Sequence, residues 1–287
     1  MTRIPVGLEH LRDTQRGAAW LEALPAVVER CASRWALGLG APYDYAYASL
    51  ALRCTTAEGD RCVLKIQFPD RESDREAEAL AHWGGHGSIR LLAHDREVNA
   101  LLLERCIPGM PLSSLDPDRA LDVAVGILPR LWKPAGHPFR PLAEEAQWWL
   151  QGLENRWERA RRPFERALLD AAMEVLRTLP LTQGEQVLVN QDLHADNVLS
   201  AQREPWLMID PKPLTAERDF GVVALVRGGE LGHSREAVRH RLERLAGELG
   251  LDRERVRRWT LAHTVAWSFE GDHVLEPSIE IARWLMD

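Results

Sequence analysis

The chain has 287 residues, 45% hydrophobic and 28% charged, with a formal net charge of −7. That length suits two lobes that each bury a core, and the composition is that of a globular protein, far from a disordered chain. The negative charge argues against binding to a nucleic-acid backbone and is compatible with a cationic small molecule; no apolar run is long enough to span a bilayer.

The four cysteines, Cys31, Cys54, Cys62 and Cys106, have no C-x-x-C spacing, and the N-terminal residues do not pair a basic segment with an apolar run and a cleavage site. The expectation is a cytoplasmic protein with free thiols, although Cys54 and Cys62 are spaced to face each other across a hairpin. His82 and His86 would share a helix face, but Gly84-Gly85 breaks the helix between them, which favours solvated histidines over a metal site.

In chain order, residues 1–40 carry helical patterns (Ala18, Trp20, Leu21, Leu24, then Val27, Val28, Cys31, Trp35) punctuated by Pro25 and Gly38-Leu39-Gly40. From Tyr45 to Leu52 and from Cys62 to Ile66 the pattern becomes that of strands, joined by the turn-like Ala57-Glu58-Gly59-Asp60. Asp70 to Trp83 reads as an amphipathic helix stopped by Gly84-Gly85. Strands are expected at Ile89–Ala93 and Ala100–Leu103, and Pro108-Gly109 marks a boundary. The resulting division is an N-lobe over 1–103, a linker over 104–109 and a C-lobe over 110–287. Residues 112–180 look helical, with Trp132, Trp148, Trp149 and Trp157 expected in the core. Short strands return at Val187–Val189, Val198–Leu199 and Trp206–Ile209, and helices resume from Ala237.

The segment Asn190-Gln191-Asp192-Leu193-His194-Ala195-Asp196-Asn197 is followed by Asp210 at the end of Trp206-Leu207-Met208-Ile209. If Val198-Leu199 and Leu207-Met208-Ile209 form a hairpin, Asn197 and Asp210 emerge side by side at its open end. Two hard oxygen donors there suit magnesium, which completes its octahedron with phosphate and water. Asp192, just upstream, can then point at an incoming hydroxyl.

This segment resembles the catalytic loop of the aminoglycoside phosphotransferases, H-G-D-x-x-x-x-N followed by a magnesium-binding Asp. The likeness to the streptomycin 6-kinase and hydroxyurea kinase branch rests on three further stretches. These are Trp206 to Leu214, Leu101-Leu102-Leu103-Glu104-Arg105 with Pro108-Gly109, and Glu76 to Gly87 leading into Arg90-Leu91-Leu92. The resemblance implies an α+β, two-lobed protein-kinase-like fold and an ATP- and Mg2+-dependent kinase acting on a small-molecule hydroxyl. Under it, Asp192 is the catalytic base, and Asn197 and Asp210 hold the metal. Lys65 grips the nucleotide phosphates, and Glu76 pairs with it in preference to Glu78, because its distance to Trp83 matches the branch. Ser49 lies in the phosphate-covering loop, and Glu104 and Cys106 lie in the segment whose main chain meets adenine. His194 is expected to shape the loop by hydrogen bonding, and Lys212, between two prolines, either reaches the site or faces water.

Two features depart from the family pattern. Asn190-Gln191 replaces His-Gly, and Asp44-Tyr45-Ala46-Tyr47-Ala48-Ser49 contains no glycine to bring N–H groups onto phosphate. A nucleotide-binding relative without turnover therefore stands as an alternative. For the acceptor, Glu270 and Asp272, with Glu276 and Glu280 against a single Arg283, suit guanidinium or ammonium groups, with solvated helix faces as the plain alternative. Streptomycin or another aminoglycoside is the expected acceptor, and hydroxyurea or another metabolite or antibiotic is the alternative.

Overall fold

The computed structural model describes residues 4–44 and 47–286. The chain divides into two compact units, Met1–Gly109 and Met110–Asp287.

The first unit opens with a 3-10 turn, Val6–Asp13, and helix α1, Gln15–Arg34. The Thr14 hydroxyl caps α1 by accepting from the Gly17 N–H at 3.0 Å. Gly17 is required there, since a Cβ would lie 2.0 Å from the Leu11 carbonyl oxygen. Pro25 lies inside α1 without ending it. A proline there removes one helical hydrogen bond, and burial of Leu21, Leu24, Val28 and Cys31 along one face offsets that loss.

Strands β1 (Gly38–Pro42), β2 (Ser49–Thr55) and β3 (Arg61–Gln67) follow, then α2 (Glu76–Trp83), β4 (Leu91–Asp95) and β5 (Ala100–Glu104). They form an antiparallel five-stranded sheet in the order β1-β2-β3-β5-β4. Two expectations are corrected. The helical prelude gives way to a strand at Gly38, whose glycines suit an exposed edge. The helix expected from Asp70 starts only at Glu76, because the Asp70 carboxylate accepts from the N–H groups of Glu72 and Ser73 and from the Ser73 hydroxyl, fixing a turn.

Side chains alternate across a strand, so β3 serves two environments. Cys62, Leu64 and Ile66 join Leu50, Leu52 and the α1 residues in one buried cluster. Lys65 and Gln67 take the opposite face. Cys54 and Cys62 are register partners and remain free thiols, and burial pushes the Cys62 thiol up to about 11.

The second unit is mainly helical: α3 (Pro117–Leu131), α4 (Leu142–Arg159) and α5 (Arg166–Thr178). The chain then forms β6 (Val187–Asn190), β7 (Val198–Ser200), β8 (Trp206–Met208) and β9 (Pro213–Ala216). It ends with α6 (Val223–Arg227), α7 (Arg235–Leu249), α8 (Arg253–Ala266), the two-residue strands β10 (Phe269–Glu270) and β11 (His273–Val274), and α9 (Glu276–Trp284). β6 pairs with β9, β7 with β8 and β10 with β11, each antiparallel. β9 and α6 lie in a stretch the sequence pattern left unassigned. Trp132, Trp149 and Trp157 are buried, whereas Trp148 is 48% exposed and is not core. Consecutive helical residues point about 100° apart, so one of two adjacent tryptophans must leave the buried stripe.

α8 packs against α5, α6, α7 and α9. At its heart His263 is fully buried among the rings of Trp149, Phe220 and Trp267. Neither ring nitrogen has a hydrogen-bond partner among the described residues. Burial, then the charges of Arg227 and Lys212, push its imidazole well below the usual histidine range.

The unfolded chain therefore binds a proton at His263 that the native chain refuses. Stability from this residue is fully present above about pH 6.5 and declines as pH falls toward the native value, by at most about 1.4 kcal/mol per pH unit. Urea unfolding at pH 7.5 and 5.5 should show a larger loss for the wild type than for His263→Phe; equal losses would refute this.

Candidate functional site

In the first unit, the face of β3 opposite the apolar cluster presents Lys65 and Gln67. Lys65 Nζ lies 2.5 Å from Glu76 Oε2, and Gln67 Nε2 donates to the same oxygen at 2.6 Å. All three are nearly inaccessible, at 6%, 2% and 1% for Lys65, Gln67 and Glu76. A buried ammonium is tolerated only with a counter-charge, which α2 supplies in its first turn. Glu78 is instead near Arg75 and Arg96, so the choice of Glu76 as partner matches the geometry. Ser49 opens β2 opposite Gln67 in register. Of the expected phosphate loop, Tyr45 and Ala46 lie outside the described residues. The Glu104 N–H donates to the Arg90 carbonyl and its carboxylate accepts from the Arg90 N–H, so its amide is committed within the sheet. Cys106 is half-buried beyond the end of β5.

In the second unit, β6 is wholly buried and delivers the chain to the loop at Asn190. The Asn190 side-chain oxygen accepts from two main-chain N–H groups, Asp192 at 3.0 Å and Lys212 at 2.9 Å. The Gln191 N–H donates to the Lys212 carbonyl at 3.1 Å, extending the β6–β9 ladder. Asn190 thus ties the two sides of the site together. The Gln191 side chain is 1% exposed, and neither amide atom has a partner among the described residues.

The loop is closed by further bonds. The Asn197 Nδ2 donates to the Asp192 carbonyl at 2.9 Å, the His194 N–H donates to the same carbonyl at 2.9 Å, and the Ala195 N–H donates to Glu230 Oε1 at 2.8 Å. His194 stands with its Nδ1 4.0 Å from that carboxylate, and the Ser113 hydroxyl donates to Asp196. The β7–β8 hairpin forms with Val198 opposite Met208, and the Ile209 N–H donates to the Asn197 carbonyl at 2.8 Å. Asn197 and Asp210 accordingly emerge together. Asp210 has φ of 50°, a left-handed conformation that Asp tolerates better than most residues.

These two residues fit a hard divalent cation. With its Nδ2 on the Asp192 carbonyl, Asn197 would offer its side-chain oxygen to such an ion, and Asp210 would offer a carboxylate from the neighbouring strand end. Among the described residues no group of three or more His, Cys, Asp or Glu side chains is placed to hold a metal.

The Asp192 carboxylate has two cationic neighbours. Lys212 Nζ is 2.9 Å from Oδ2, and an Arg227 guanidinium nitrogen is 3.6 Å from Oδ1. Both cations stand over the Trp267 ring, at 4.9 and 5.2 Å from its centroid. Lys212 therefore reaches the site instead of facing water. The sequence pattern does not point to Arg227, Glu230 or Trp267; they lie 35 to 75 residues from Asp192, outside the loop motif, and α6, the 3-10 turn Gly229–Leu231 and the end of α8 bring them there.

The acidic acceptor patch is revised. Glu270 and Asp272 lie exposed on the β10–β11 hairpin, and Asp272 is 3.6 Å from Arg159. Glu276 pairs with Arg283 and Glu280 with His233. Arg283 is thus not the sole cation facing these four carboxylates, and the local excess of negative charge is smaller than the sequence suggests.

A sheet-borne buried lysine–glutamate pair and a loop-plus-hairpin carrying Asp192, Asn197 and Asp210 outline a kinase-like fold. The solved structure of a choline kinase from Streptococcus pneumoniae is similar, with a TM-score of 0.66 at 13% identity over 92% of this chain and 99% of that one. The family described as aminoglycoside/hydroxyurea antibiotic resistance kinase matches residues 34–271. The chain is 38% identical to a streptomycin 6-kinase of Streptomyces griseus, over 92% of this chain and 89% of the relative. It is 37% identical to a hydroxyurea phosphotransferase of Kitasatospora aureofaciens, over 98% and 85%. The chain belongs to the aminoglycoside/hydroxyurea antibiotic resistance kinase family and is a small-molecule kinase.

Removing one charge of the buried pair strands the other. Glu76→Leu should lower unfolding stability by about 3–5 kcal/mol, and adding Lys65→Met should recover most of it. Denaturant titration of both variants checks this; an additive further loss in the double variant would contradict it.

Proposed function

We propose that this kinase transfers the γ-phosphoryl group of ATP, with magnesium, to a hydroxyl of a streptomycin-like aminoglycoside. The observation that carries the reading is the convergence of Asp192, Asn197 and Asp210 on one loop and hairpin in a chain of this family. The streptomycin 6-kinase relatives support the acceptor class. The hydroxyurea phosphotransferase relative, aligned over nearly the whole chain, favours hydroxyurea as the second reading.

Asp192 accepts the acceptor hydroxyl as a hydrogen-bond donor and directs its oxygen at the γ-phosphorus. As the new O–P bond forms, the bond from the γ-phosphorus to the β,γ-bridging oxygen breaks and its electron pair leaves with ADP. The hydroxyl proton passes to the Asp192 carboxylate and then to water. Such a transition state is loose, so the protein contributes chiefly position and compensating charge. Lys65 is the phosphate-binding cation, and Glu76 keeps its ammonium in place. Magnesium, held by Asn197 and Asp210, would draw charge from the phosphate oxygens. The exposed Glu270 offers a carboxylate to cationic groups of the acceptor, and Asp272 does so in competition with Arg159.

Incubating the protein with ATP, magnesium and a pool of aminoglycosides, hydroxyurea, nucleosides and small alcohols should give one compound carrying an added phosphoryl group by mass spectrometry. Asp192→Asn should reduce that product by about 100-fold or more, the scale expected for a lost general base. Equal product with Asp192→Asn would remove Asp192 from the chemistry. No product and no ATP binding would overturn the reading.

A further inference from the structure

Asp192 is held by more than its loop. Its carboxylate oxygens face different cations, Lys212 at Oδ2 and Arg227 at Oδ1. Two cations this close repel each other. The arrangement is stable because both also lie over the Trp267 ring, whose π face attracts cations, and because Asp192 lies between their charges. Trp267 itself is set by the buried His263, whose ring centroid is 4.5 Å away.

Lysine has a flexible four-carbon stem, so holding its ammonium at one place needs both ends fixed. The base of Lys212 is tied to the catalytic loop: its N–H donates to the Asn190 side chain, and its carbonyl accepts from the Gln191 N–H. Pro211 and Pro213 flank it. Its tip meets Asp192 and Trp267.

We infer that Lys212 and Arg227, seated together on Trp267, are positioning residues for phosphoryl transfer: they clamp the two oxygens of Asp192 and fix which lone pairs face the acceptor hydroxyl. A carboxylate offers about four lone-pair sites, so the clamp leaves acceptor capacity while removing rotational freedom. Two cations against one carboxylate also leave excess positive charge beside the transferring group, where negative charge must be stabilised. The inference rests on the proposed kinase reading of Asp192 and adds residues outside the loop motif.

The test is steady-state kinetics with ATP, magnesium and whichever of streptomycin or hydroxyurea the wild type phosphorylates, with melting temperatures confirming that each variant is folded. Lys212→Met and Trp267→Leu should lower kcat by about 10- to 100-fold while KM for ATP stays within about threefold, because positioning is lost and nucleotide binding is not. Lys212→Arg and Trp267→Phe should recover most of kcat, since they restore a cation and an aromatic face. A folded Lys212→Met enzyme with near-wild-type kcat, or one impaired only through KM, would overturn the clamp and leave the kinase reading intact. Failure of Lys212→Arg to recover kcat above Lys212→Met would also overturn it. A wild type that forms no product from the acceptor pool and binds no ATP would overturn the underlying reading, and the clamp with it.

Discussion

One amide oxygen organises the second unit's site. Asn190 accepts from the N–H groups of both Asp192 and Lys212, so the two residues that meet as an ion pair are also joined through a single side chain at their backbones. Asn190 can do this because it ends a buried strand whose ladder partner is Pro213, next to Lys212. Proline has no N–H to give, and the side chain of Asn190 takes up the adjacent Lys212 donor. Gln191 is a less comfortable substitution, since its buried amide has no protein partner among the described residues and burial of such a group is costly.

The first unit solves an analogous problem with strand alternation. β3 gives Leu64 and Ile66 to an apolar cluster and Lys65 to the other face, where Glu76 receives it and Gln67 donates to the same carboxylate. Burial in either direction is favourable only with that register; a one-residue slip would put the ammonium among leucines. The same alternation that builds the core therefore delivers the cation. The helix that supplies Glu76 begins late because the Asp70 turn delays it, which places the carboxylate in the first helical turn, where negative charge is favoured.

Much of this was readable from sequence where the signal is local. The Cys62–Ile66 pattern marked β3 and its lysine; the two apolar runs around Ala201–Glu204 marked the β7–β8 hairpin and thereby the juxtaposition of Asn197 with Asp210. What was missed has long-range causes. β1 and β9 are short and rich in glycine or proline, so they carry little periodicity and exist because a neighbouring strand pairs with them. Trp148 could not be told from Trp149 by composition, since only the direction of α4 separates them. Arg227 and Trp267 are ordinary residues in sequence, and they matter because α6 and α8 bring them to one carboxylate. The pairing of Asp272 with Arg159 likewise joins residues more than a hundred positions apart, and it weakens an acidic patch that looked unopposed in the linear chain.

In the proposed function Asp192, held in place by its neighbours, would receive the acceptor hydroxyl while Asn197 and Asp210 would hold the metal. A crystal structure with a non-hydrolysable ATP analogue, magnesium and the phosphorylated acceptor's unmodified form tests this most directly. The account predicts the reacting hydroxyl within hydrogen-bonding distance of the Asp192 carboxylate, and magnesium bonded to oxygens of Asn197 and Asp210. An acceptor hydroxyl directed at another residue, or a metal held without either ligand, would contradict it.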